Sequence, residues 1–275
     1  MKKIFLFVAA ISAAMMSLQA QEAEESKSIE FAYEAGFDAV SSYLWRGLYN
    51  GGLSFQPEAL VGFDALDGAL SFRGGVWANV GASDWKWKLD QSDGRGYTMF
   101  MPEVDFIGQF SFYGASVGFN EYYYCDDFST ATSEVWAGYS FEYLFEQNAY
   151  INWYTMIAGD DMIEDEEGNT RRAWSSYLEL GYDYTFEDQG ITLGVQLGMS
   201  PWASDLYCNE KFAVTNISLK IDKEWELDAC SVNLFAQGSL NPDGINTQNA
   251  FIGKAGEDKL YLQKLNAAIG LGVWF

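Results

Sequence analysis

From residue 30 onward, apolar and polar side chains alternate at nearly every position, in runs of about ten residues separated by Gly-, Asp- and Asn-containing breaks. A period of two belongs to a strand whose two faces meet different surroundings, and about ten residues is the length that crosses a bilayer at a tilt. Twelve such runs can be traced. The first, about 30 to 45, places Phe31, Tyr33, Ala35, Phe37, Ala39 and Tyr43 on one face and Glu34, Gly36, Asp38 and Ser42 on the other. The second and third, 54–64 and 69–81, repeat the scheme across an Asp67-Gly68 turn. The fourth and fifth, 98–110 and 115–124, begin with Phe100 outward, and the sixth carries its outward face from Val135 to Phe145. The rest lie near 149–157, 174–186 (with Trp174 outward), 191–199, 217–225, 232–236 and 263–275.

The connections alternate in length. Long ones fall near 46–53, 82–97, 125–132, 159–172, 200–212 and 241–262, and short ones near 64–69, 111–114, 146–148, 187–190 and 226–229. This predicts an all-β fold: a transmembrane antiparallel up-and-down β-barrel of about twelve strands, with short periplasmic turns and long extracellular loops. A soluble β-sandwich has no reason to keep that alternation. Nor would it line up Tyr33, Phe63, Phe110, Phe145, Phe186, Trp225 and Phe275 at the short-turn ends, where they form an interfacial girdle. A Lys or Arg facing lipid at mid-bilayer costs about 2–4 kcal/mol. The only base on the proposed outward faces is Lys223, close to a strand end.

The segment before the first run reads as a secretory leader: Lys2-Lys3, an apolar stretch over 4–18, and Ala20 ahead of Gln21. The expected organisation is a signal peptide at 1–20, a short acidic segment at 21–28 and a barrel at 29–275, placed in a bacterial outer membrane. The apolar stretch falls short of the roughly 20 residues of a spanning helix. Loss of Lys2 and Lys3 takes the formal charge from −23 to −25, which argues against nucleic acid and anionic lipid surfaces as partners. Ten Trp, 17 Tyr, 20 Phe and 27 Gly beside only four Pro suit strands with lipid on one side and a crowded interior on the other.

The stretch from Ser41 to Ala82 resembles the opening of the TorF-type porin family. The matching positions are Ser41, Tyr43, Arg46 and Gly47, then Pro57, Gly62 and Phe63, then Gly75, Trp77 and Asn79; Glu58 and Leu60 depart from the smaller polar residues of that pattern. The resemblance covers about the first sixth of the mature chain and implies a channel of unassigned solute. The ending Gly272, Val273, Trp274 and Phe275 is similar to the terminal-strand signal read by the outer-membrane barrel assembly machinery, which makes that machinery an expected partner through Phe275.

Alternation places nine acids and three bases on the inward face: Glu34, Asp38, Glu58, Glu103, Asp105, Glu142, Glu179, Asp183 and Asp222 against Arg46, Arg73 and Lys220. Such groups either pair into a network that fills a narrow lumen or line an acidic, water-filled path that favours cations. Arg46 and Arg73 have two readings, a bidentate carboxylate pair or a contact for an anionic solute group. Inward glycines, Gly36, Gly118 and Gly270 among them, either leave room or accept Trp77, Trp136 and Trp274 in close packing. The acidic loop 159–169 offers oxygens to a divalent cation but lacks EF-hand spacing, so a solvated loop is the plainer reading.

Three cysteines allow at most one disulfide, and Cys125 and Cys208, both in long loops, are the pair that could reach each other. The chain has no histidine and no Gly-x-Ser-x-Gly nucleophile motif, so no enzyme activity, metal or cofactor is expected. The resulting expectation is a monomer in outer-membrane lipid acting as a narrow passive channel for small hydrophilic solutes, with a mild cation preference. The alternative is a closed barrel that acts through its extracellular loops.

Overall fold

A computed structural model of the chain describes residues 29–81, 103–124, 131–145, 147–159, 161–164, 168–204, 206, 207, 209, 211–242 and 264–275, together with two short strands at 86–89 and 96–99. Residues 1–28, the expected leader among them, and Phe100, Cys125, Cys208, Trp85, and Asp160 and Asp165 to Glu167 of the acidic loop lie outside the described residues.

Twelve antiparallel strands form one closed barrel. They are β1 (Glu30–Val40), β2 (Ser54–Ala65), β3 (Leu70–Gly81), β4 (Glu103–Phe112), β5 (Ala115–Tyr124) and β6 (Ala131–Ser140). The series continues with β7 (Ala149–Ala158), β8 (Ser176–Phe186), β9 (Ile191–Ser200), β10 (Ala213–Glu226), β11 (Ser231–Leu240) and β12 (Leu265–Trp274). Each strand pairs with its chain neighbours, and β1 closes the ring on β12 from Gly36 opposite Trp274 to Val40 opposite Gly270. Phe275 completes the seam, its N–H donating to the Ala35 carbonyl at 2.8 Å. Closure leaves no strand edge unpaired, the condition for a sheet to cross lipid.

The pleat sorts the side chains. In β12 the outward Leu265, Ala267, Ile269 and Leu271 are exposed while the inward Asn266, Ala268, Gly270 and Gly272 are buried. β8 repeats this with Leu180, Tyr182, Tyr184 and Phe186 exposed between Glu179, Gly181, Asp183 and Thr185. The outer belt is thus apolar and the interior polar, the reverse of a water-soluble domain. Of the expected girdle, Tyr33, Phe110, Phe145, Phe186, Trp225 and Phe275 are exposed at the short-turn end. Lys223, the outward base, lies there too, over the Trp225 ring and bonded to the Gln189 carbonyl.

Several boundaries differ from the sequence reading. The first strand stops at Val40 instead of continuing to 45, because Tyr43–Trp45 and Leu48–Gly51 pair as a separate hairpin. The fourth begins at Glu103, and Gly96–Met99 pairs with Lys86–Leu89 outside the barrel sheet. The sixth ends at Ser140, where Phe141 starts a tight turn and Glu142–Phe145 makes one turn of helix. Glu142 is therefore an exposed residue of that turn and does not line the lumen. Trp174 is exposed as expected but precedes β8, with φ +54°.

Candidate functional site: a plugged, acidic lumen

The loop after β1 turns inward. Trp45 pairs with Leu48 across a two-residue turn, Arg46-Gly47, in which both residues have positive φ, 50° and 82°. That is the type I′ geometry that suits the twist of a hairpin, and Gly takes the second position at no steric cost. The tip enters the lumen so closely that a Cβ on Gly47 would lie 2.8 Å from the Thr215 carbonyl and from the Asn216 Cβ.

The hairpin touches the wall on all sides. Ser41 exchanges bonds with the Ile269 backbone on β12, and Tyr43 packs on Trp77 of β3 at 5.4 Å. Trp45 meets Tyr122 of β5, and the Gly47 carbonyl accepts from Asn266 of β12 at 3.0 Å. A second long loop, between β9 and β10, also folds in. Its Tyr207 stacks on Trp45 and on Tyr177 of β8, with ring centroids at 6.0 and 5.6 Å, and the Ser204 hydroxyl holds the Tyr207 N–H. Leu48, Tyr177 and Tyr207 form a buried cluster inside the otherwise polar lumen.

Arg46 stands at the centre of this plug. Its Nη1 and Nη2 donate to Oε1 and Oε2 of Glu134 on β6 at 2.6 and 2.8 Å, and Nη1 also donates to the Tyr207 hydroxyl at 3.0 Å. The guanidinium lies 4.0 Å from the Tyr154 ring, 4.5 Å from Trp45 and 5.0 Å from Tyr177. Glu134 Oε2 further accepts from Tyr122 at 2.7 Å and Asn120 at 3.1 Å. Both charged side chains are almost wholly buried, 8% and 1% exposed, so each depends on the other and on its hydrogen bonds. Burial pushes the phenol of Tyr207, a loop residue, above its ordinary value, and it faces Arg46 as a neutral hydroxyl. Nearby, Asn216 on β10 ties Tyr177 and Gln196 together and accepts from Ser239 at 2.6 Å.

The candidate lumen residues fall into two tiers. Glu103, Asp105 and Glu179 are buried at the level of the plug. Toward the short turns, Glu34 is exposed, and Asp38, Glu58, Asp183 and Asp222 are partly so although they point inward. Lys220 shares this tier, 46% exposed, with Nζ 3.6 Å from Asp222 and 4.5 Å from the Phe235 ring. Arg73 is paired, donating to Asp64 at 2.8 Å and to the Phe63 and Phe72 carbonyls. The bidentate carboxylate pair is present at Arg46, whereas Arg73 makes a single bond to Asp64 and gives its other nitrogen to backbone carbonyls. Some inward glycines sit under aromatic rings, where a Cβ would meet Trp136 at Gly118, Trp274 at Gly36 and Phe235 at Gly270; others face a backbone carbonyl, as Gly62 and Gly75 do. In the acidic loop, Asp161 accepts the Ser175 N–H at 2.9 Å, an anchor within the protein.

The plug depends on residues that the alternation left unassigned. Glu134 lies one position before the strand face that began at Val135, and extending the period by one residue puts it beside Trp136 and Gly138 on the inner face. Tyr207 carries no such signal, because an inward-folding loop has no period.

No protein family matches the chain, and no curated protein matches it. In structure it is similar to the COG4313 outer membrane channel from Pseudomonas putida F1, at 13% identity over 92% of this chain and 96% of that one, with a TM-score of 0.42. It is also similar to OmpF of Salmonella typhi, at 10% identity over 90% and 98%, TM-score 0.37. A FadL homologue from Pseudomonas aeruginosa gives 9% identity over 90% and 75%, TM-score 0.34. Likeness at this level carries no argument about solute or mechanism. The TorF-type resemblance, read from residues 41–82 and the C-terminal Phe275 strand, is not shown by these comparisons. Among its positions, Ser41, Tyr43, Arg46, Gly47 and Trp77 all belong to the inward hairpin or its seat on the wall.

Proposed function

We propose that the chain is a monomeric channel of the bacterial outer membrane, closed at its long-loop mouth by the 43–51 hairpin, with a lower lumen that passes small hydrophilic solutes and prefers cations. The observation that carries the reading is the solvent-reached acidic tier beneath the plug. Glu34, Asp38, Glu58, Asp183 and Asp222 face a space in which Lys220 is nearly half exposed. A lumen meant only to be filled would bury these carboxylates in pairs, as it does Glu134. Water-exposed carboxylates on low-dielectric walls instead concentrate cations by their summed potential. Twelve strands give a bore between the filled interior of eight and the open channel of sixteen, so the path is narrow.

The near-complete burial of Arg46 and Glu134 favours a second reading, a barrel that never opens and serves through its outer loops. Planar-bilayer recording separates the two. The native protein should show rare, small conductance steps. A variant with residues 43–51 replaced by a short Gly-Ser linker should show frequent discrete steps and a cation-side reversal potential. Adding E58Q, D183N and D222N should move that potential toward zero selectivity. Silence from the linker variant would leave the closed barrel as the answer, and an anion-side potential would remove the cation preference.

A further inference from the structure

The surroundings of the Arg46 side chain are mostly built before Arg46 arrives. Asn120, Tyr122, Glu134, Tyr154 and Tyr177 all stand on barrel strands, and among the described residues Trp45 and Tyr207 come from loops. Within this wall, Tyr122 and Asn120 both bond Glu134 Oε2, which fixes the carboxylate from behind and aims its face at the guanidinium. Two parallel bonds of 2.6 and 2.8 Å match the fork of a planar guanidinium, and the Tyr154 ring at 4.0 Å offers it a π face. Were the hairpin to lift, the wall would present a carboxylate flanked by aromatic faces, an arrangement with a strong need for a cation.

We propose that this recess around Glu134 is a binding site for a planar guanidinium-type organic cation, and that Arg46 occupies it as a built-in ligand. A solute bearing that group competes with Arg46 for one carboxylate, so its binding and the seating of the hairpin exclude each other. A spherical metal ion gains little from the aromatic faces, and an ammonium lacks the planar fork. The site does not depend on whether the lumen conducts.

Cavity complementation tests this in detergent-folded protein, without recording current. In Arg46→Ala, millimolar methylguanidinium should raise the unfolding midpoint by about 2–4 °C. The native chain, whose site is already filled, should respond far less, and R46A/E134Q should not respond. If R46A folds poorly, its refolding yield is the readout: methylguanidinium should restore the yield of R46A and leave that of R46A/E134Q unchanged. Equal effects on R46A and R46A/E134Q, or none on either measure, would overturn the site. An equal response to methylammonium would overturn the guanidinium class.

Discussion

At the scale of single residues, the lumen places the deeply buried Arg46–Glu134 ion pair where a loop must be held. Removing one member of a buried pair typically costs about 3–5 kcal/mol, because the partner is left charged and unmatched, whereas apolar replacement of both is far milder. Glu134→Ala should therefore destabilise the folded barrel by that order in urea titrations from lipid vesicles. R46M/E134L should lose less than E134A alone. If the loss in R46M/E134L equals the sum of the losses in R46M and E134L measured singly, Arg46 and Glu134 are not coupled. Gly47→Ala meets a backbone carbonyl at 2.8 Å on a residue held at φ 82°, and strain of this type is worth roughly 1–3 kcal/mol. Its expected phenotype is an unseated hairpin, read as proteolytic cleavage within 43–51 that the native chain resists.

At the scale of elements, an outward mid-strand position such as Leu219 or Ile269 should lose about 2–4 kcal/mol on replacement by Lys, against almost nothing at the short-turn position already held by Lys223. Equilibrium unfolding in vesicles gives the comparison, and equal costs would contradict a lipid-facing belt. The strands were legible because one simple force, lipid against water, writes the same period twelve times. The pairing order follows from short turns that force each strand to lie beside the next. What the sequence concealed lies where that force stops acting. Tyr43 looked like one more outward aromatic, yet after Val40 the chain leaves the sheet and the same parity points it at Trp77 inside the barrel. Glu142 kept strand parity on paper, but the Phe141 carbonyl accepts the Leu144 and Phe145 N–H groups and bends the chain into a helical turn. Arg46 was recognisable as a residue in need of a carboxylate; its partner, 88 positions away, was not, because the pair joins a loop tip to a distant strand.

For the molecule as a whole, the barrel turns an apolar exterior outward and encloses a polar interior. The lower tier and the plug are separate layers: Lys220, Asp222 and Asp183 share no hydrogen bond with the hairpin among the described contacts, while the Arg46 layer takes its partners from β5 to β8. Selectivity and closure should then be separable by mutation. Lys220→Glu in the linker-bearing variant should sharpen cation preference, seen as a larger reversal potential, and leave step frequency unchanged. A change in frequency would mean that the two layers communicate.

The wide spread of the hairpin's contacts also dictates a birth order. Residues 43–51 emerge early in synthesis, yet the groups that receive them, Glu134, Tyr177, Tyr207, Asn216 and Asn266, are strung along the remaining length of the chain. The keystone is thus cut first and set last. In pulsed hydrogen-exchange experiments, the amides of Leu44 and Leu48 should gain protection only after those across the β1–β12 seam have done so.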